Sequence, residues 1–159
     1  MPTHLVGRGD DLRRARSLIA DIGVAVIAGA AGIGATAVSD LLANEWRSQG
    51  GRVVELRGTY GLQRVRFGAL AAAVALEGGG TNAEMVARAV RSITDGEGSV
   101  LTVVDDAHLL DPETAGVIGA VAQSSAGRLV ISATSGEPLP ADITAIWARW
   151  PDCRIELSP

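Results

Sequence analysis

Lysine is missing from this chain of 159 residues: all fourteen basic residues are arginine. Wherever chemistry calls for an ammonium group, only an arginine or a partner can stand in. Cysteine is nearly absent as well. The lone Cys153 excludes an internal disulfide and a cysteine-rich metal site, fits a reducing compartment, and reads as a packing residue. Aromatic side chains make up only 3% of the chain while aliphatic residues and glycine abound, a balance suited to buried parallel strands and closely packed helices. No apolar run reaches the length of a membrane span, and the first residues show no basic segment followed by an apolar one. The expected location is cytoplasmic, without membrane contact. Excess positive charge is lacking too. At a formal net charge of -4 the chain has no field to draw it onto a phosphate backbone, so direct nucleic-acid binding is not expected. Arg8, Arg13, Arg14 and Arg16 are interleaved with Asp10 and Asp11 and read as a solvated helix face.

What is present alternates in period. Leu12, Ala15, Leu18 and Ile19 fall on one helical face over residues 10–20, and residues 24–28 form a short apolar run followed by glycines, the pattern of a strand buried on both faces. Val38, Leu41, Leu42 and Trp46 recur at helical spacing up to Gly50-Gly51. A second strand is expected at 52–57, an alanine-rich helix over 65–76, and a helix capped by Thr81 with Glu84 completing a capping box. Residues 100–104 read as another strand, Asp111-Pro112 as the cap and first turn of a helix, 129–131 as a fourth strand, 141–149 as a helix and 153–157 as a fifth strand. This succession predicts an α/β fold: a mainly parallel sheet of about five strands with helices on both faces, in one domain over 1–159.

Two stretches carry chemistry. Gly29-Ala30-Ala31-Gly32-Ile33-Gly34-Ala35-Thr36, followed by Ala37, has the spacing of a phosphate-binding loop (P-loop) with alanine in the lysine position. Glycines let backbone N–H groups converge on phosphate oxygens, the next helix adds its dipole, and a threonine hydroxyl suits magnesium. The missing lysine removes one charge-assisted contact to the terminal phosphates, worth about 1.5–3 kcal/mol, and weakens transition-state stabilisation still more. The alternative is a glycine-rich turn that binds nothing. The second stretch, Val100-Leu101-Thr102-Val103-Val104-Asp105-Asp106, is an apolar strand ending in two acids, suited to place Asp105 at magnesium and Asp106 beside a water; a helix cap or loop start would look similar.

Together with Leu5-Val6-Gly7-Arg8, the segment Val103-Val104-Asp105-Asp106-Ala107-His108 with Leu110-Asp111-Pro112, and Ser135-Gly136-Glu137-Pro138 through Ile146-Trp147, these motifs resemble the signal-transduction ATPases with numerous domains. That AAA-related module stands at the front of large LuxR-type transcriptional regulators of actinobacteria. The resemblance implies a three-layer P-loop NTPase sandwich binding ATP or ADP with Mg2+. It also implies that Val6, Gly7 and Arg8 contact the base, that Gly32, Gly34 and Thr36 contact the phosphates, that Asp105 holds the metal and that Asp106 activates water. His108 is given no chemistry. Self-association, or contact with further domains, is the implied partnership. Relatives continue into a helical lid, a repeat region and a helix-turn-helix, none of which is expected within these residues.

Two departures argue for impaired hydrolysis: Ala35, and the lack of an arginine in Ile131-Ser132-Ala133-Thr134-Ser135-Gly136, where relatives often place one. A non-hydrolysing protein-interaction module is the second reading. A third is an NAD(P)-binding oxidoreductase, because GAAGIG follows a strand and Glu55 lies at the next one. Against it stand a glycine spacing one residue short and a single tyrosine, Tyr60, without a lysine partner.

Overall fold

The computed structural model describes residues 6–159. Residues 10–20 form part of α1 (Gly9–Asp21), which leads into β1 (Val24–Gly29), α2 (Ala35–Ser48) and β2 (Arg52–Arg57). The short α3 (Gly68–Ala71), α4 (Asn82–Thr94), β3 (Val100–Asp105), α5 (Pro112–Gln123), β4 (Gly127–Thr134), α6 (Ala141–Arg149) and β5 (Arg154–Glu156) complete the chain. The five strands pair in the order β2-β3-β4-β1-β5, and every pairing is parallel. No helix among the described residues is long and apolar enough to cross a membrane.

Alternation along each strand divides the core in two. Ala25, Ile27, Leu101, Val103 and Val130 face one side, where they pack with Ala15 and Ile19 of α1 and Val38 and Leu42 of α2. Val24, Val26, Val104, Leu129 and Ile131 face the other, against residues of α4, α5 and α6. Both faces are therefore covered, which explains why the strands read as unbroken apolar runs. The distribution of helices follows from the strand order. The step from β1 to β2 travels one way across the sheet, whereas the steps to β3, β4 and β5 travel the other way. If all crossovers share one hand, the first connecting helix must lie on the opposite face from the rest. Indeed α2 packs on one face and α4 to α6 on the other.

One element differs from expectation. The helix anticipated over 65–76 is a single turn at Gly68–Ala71, entered through Phe67 in a left-handed conformation (φ 54°). Ala69 and Leu70 are buried, but Ala71, Ala72 and Ala73 are exposed. Phe67 and Leu70 are buried and Val74 and Leu76 pack against the core, but the exposed alanines between them leave packing to support only one turn of helix. The capping box of α4 is present, with the Thr81 hydroxyl accepting from the Glu84 amide and the Glu84 carboxylate accepting from the Thr81 amide.

Candidate functional site

β1 ends in a turn that demands glycine. A side-chain carbon on Gly29 would stand 2.5 Å from Ile33 Cγ2, and Gly32 and Gly34 hold φ values of 78° and 106°, where other residues are strained. Gly34 is the cap of α2, and no side chain bonds the amides of the first turn. By contrast, α4 and α5 begin with side-chain caps from Thr81 and Asp111. The first amides of a 14-residue helix are thus left as free donors at the positive end of its dipole.

These amides face a cleft of about 340 Å3 lined by residues 29–37, Asp40, Asp106 and Ser132-Ala133-Thr134. The sheet order puts it there. The chain leaves β1 towards one face and leaves the adjacent β4 towards the other, which opens a crevice at the carboxyl ends of the two strands. Because β4 also pairs with β3, the strand ending in Asp105 lies just beyond.

Asp105 is the hub of the polar contacts. The Thr36 hydroxyl donates to its Oδ1 at 2.9 Å, and the Ser132 hydroxyl donates to the same oxygen at 2.5 Å. Its other oxygen, Oδ2, lies 3.8 Å from Arg57 Nε, which is also 3.6 Å from Asp106 Oδ2. Asp106 adopts a left-handed backbone (φ 51°), a conformation that aspartate tolerates better than most residues and that turns the chain off the strand. A second crevice, of about 250 Å3, runs between α2 and the β2–β3 edge and includes Thr36, Asp40, Glu55, Arg57 and Asp105. Partial burial, then the charges of Asp105 and Glu55, raises the Asp40 carboxyl above its usual range, with Arg47 and Arg57 opposing. The rim is rich in negative charge.

Gly29, Ala30, Ala31, Gly32, Ile33, Gly34, Ala35, Thr36 and Ala37 all line the first cleft, as does Asp106. Thr36 and Asp105, 69 positions apart, are brought into hydrogen-bonding contact. Val6, Gly7 and Arg8 do not line the cleft. Val6 is exposed, whereas the Arg8 guanidinium donates to the Ile33 carbonyl at 3.0 Å and pairs with Asp11. Leu5 lies outside the described residues. Ser132, Asp40 and Arg57 were not singled out from sequence. A serine inside the apolar run 129–133 was the one available signal, and it means little until β4 is known to adjoin β3. After β4, Ser135 donates to Glu156, whose carboxylate also pairs with Arg154.

The dinucleotide reading fails on sheet order. Glu55 would have to follow a strand adjacent to β1, but β4 and β3 intervene, a separation of about 14 Å at the usual strand spacing.

No family model matches the sequence, and no curated protein matches it. Among solved structures, the chain is similar to Cdc6p from Pyrobaculum aerophilum, with a TM-score of 0.71 at 19% identity over 99% of this chain and 47% of that one. The Pif1 helicase of Candida albicans is similar over 92% of this chain and 39% of its own, at 13% identity and a TM-score of 0.50. The chain thus spans about half the length of the Cdc6p structure. Likeness at this identity concerns architecture: the chain has the α/β P-loop NTPase fold, with a five-stranded parallel sheet between helices.

Proposed function

We propose that this domain binds ATP or ADP with magnesium in the cleft at the start of α2, as the regulatory module of a LuxR-type transcriptional regulator, and that its hydrolysis is impaired. The observation that carries the reading is the contact between Thr36 and Asp105 at the mouth of an uncapped loop. The residues fit the ligand. Free amides and positive-φ glycines suit phosphate oxygens. A hydroxyl beside a carboxylate suits a hard cation that takes its other ligands from phosphate and water. Magnesium would neutralise phosphate charge there, held by Thr36 and Asp105, with Asp106 at the cleft wall to orient water. The chain's residues contribute position and donors; alanine at 35 contributes no charge.

The regulatory context, in which further domains or a second copy respond to the bound nucleotide, rests on the motif resemblance, whereas a cytoplasmic location and the assignment of one domain to 1–159 rest on composition, length and the succession of elements. Val6, Gly7 and Arg8 belong to the proposal as base contacts made on binding. A non-hydrolysing interaction module is the second reading, favoured by Ala35 and by the sequence Thr134-Ser135 where relatives often carry arginine.

Calorimetric titration of ATP and ADP, with magnesium, into the chain and into Ala35→Lys tests this function. The lysine variant is expected to bind about tenfold to a hundredfold tighter, the equivalent of one charge-assisted contact, and to gain measurable hydrolysis. If neither protein binds either nucleotide, the interaction module becomes the better account.

A further inference from the structure

Resting on the nucleotide reading above, we propose that Arg57 supplies the cation that the phosphate loop lacks, contacting the terminal phosphate of bound ATP from the β2 side of the cleft. Three observations lead to it. First, position: Arg57 is the last residue of β2, in register with Asp105. Its side chain lies on the α2 side, in the crevice that also contains Thr36 and Asp40. Those two residues line the phosphate cleft as well, so the two hollows meet at the first turns of α2. Asp106, 3.6 Å from the guanidinium, forms part of the cleft wall.

Second, availability. Among the described residues the Arg57 guanidinium makes no hydrogen bond; its nearest approaches to Asp105 and Asp106 are through Nε, at 3.8 and 3.6 Å, and its side chain is 68% exposed. A guanidinium has five N–H donors suited to phosphate oxygens. Arg8, the other arginine close to the loop, is already committed to the Ile33 carbonyl and Asp11, and its side chain is only 13% exposed. Third, anchorage. The base of Arg57 is held firmly, because the next amide, that of Gly58, donates to the Asp105 carbonyl at 2.9 Å. A side-chain carbon on Gly58 would stand 2.3 Å from the Asp106 carbonyl oxygen. The backbone is fixed, and the head group carries two long ion pairs but no hydrogen bond among the described residues. Magnesium arriving at Asp105 would compete with Arg57 for the same carboxylate, which releases the guanidinium beside newly arrived negative charge.

The site would then favour ATP over ADP, since the arginine stands at the Asp106 end and not among the loop amides. Titration of magnesium-ATP and magnesium-ADP into the original chain, Arg57→Gln, Arg57→Lys, Ala35→Lys and the double variant Ala35→Lys/Arg57→Gln tests this. Arg57→Gln is expected to weaken ATP binding about tenfold and ADP binding by less than about threefold, the scale of one charged contact. Arg57→Lys should recover most of the loss. In the Ala35→Lys background the glutamine substitution should cost less than about threefold, because the two cations serve one role and their effects do not add. Unchanged unfolding midpoints would show that all variants fold. The proposal is overturned if Arg57→Gln leaves ATP affinity within about twofold, or tightens it, or if the original chain binds nothing while Ala35→Lys binds, results that leave the nucleotide reading standing. Failure of every protein to bind overturns both.

Discussion

At position 35 the side chain ends in a methyl group that packs against the α1–α2 face of the core, where a P-loop would extend an ammonium to the phosphates. One substitution thus separates a cradle that can hold phosphate through backbone amides from one that can also stabilise charge as it develops. Other single residues are legible by the same reasoning. Cys153 is fully buried, and that burial pushes its thiol up to about 11, so it is a packing residue with no reactive thiolate at neutral pH. Thr102 presents the opposite case. It lies in the middle of β3 between Val54 and Leu129, and its buried hydroxyl has no hydrogen-bond partner among the described residues. An unsatisfied buried hydroxyl costs about 1 kcal/mol or more. Thr102→Val keeps the shape and removes the cost, so thermal unfolding should move up by roughly 2–4 °C. A midpoint that stays or falls would mean that the hydroxyl has a partner in solution.

Among the elements, the start of α5 shows what a side-chain cap contributes. Asp111 is 1% exposed; its Oδ2 accepts from the Thr114 amide, and its Oδ1 accepts from the Thr114 hydroxyl and, across to α3, from the Ala69 amide. One carboxylate therefore caps α5 and docks α3 onto it. Asp111→Ala should cost about 3 kcal/mol, combining a cap and buried charged hydrogen bonds, and lower the unfolding midpoint by roughly 6–12 °C. A loss near 1 kcal/mol in denaturant unfolding would reduce Asp111 to an ordinary cap. Element boundaries were largely readable in sequence where pattern and burial agree: 52–57 and 141–149 coincide with β2 and α6. They were misread where they disagree. Residues 65–76 have helix-forming composition, yet Ala71, Ala72 and Ala73 are exposed and only Gly68–Ala71 is helical, and β4 opens at Gly127, two residues before the apolar run 129–131. There Gly127 passes so close to the Val121 carbonyl oxygen that a side-chain carbon would sit at 2.6 Å. Local preference is visible along the chain; the neighbour that overrides it is not.

The same limit applies to the molecule as a whole. The phosphate loop and the acidic pair could be recognised as linear motifs, but sheet order decides what surrounds them. Placing β4 between β1 and β3 delivers Ser132 to Asp105, carries Glu55 away from the loop, and leaves Arg57 beside Asp106. None of those relations has a signature in the spacing of residues. The order also creates the crevice at the carboxyl ends of β1 and β4, the proposed point of ligand entry. A second cleft of about 340 Å3, between α1 and α2 and lined by Leu42, Trp46, Leu101 and Arg128, offers a different location on the same molecule. The most direct test is a titration of isotopically labelled protein with magnesium-ATP, following backbone amide resonances. Shifts concentrated at Gly32, Gly34, Ala35, Thr36 and Asp106 are the predicted result; saturation with no shifts in the loop, or with shifts confined to Trp46 and its neighbours, would contradict the account.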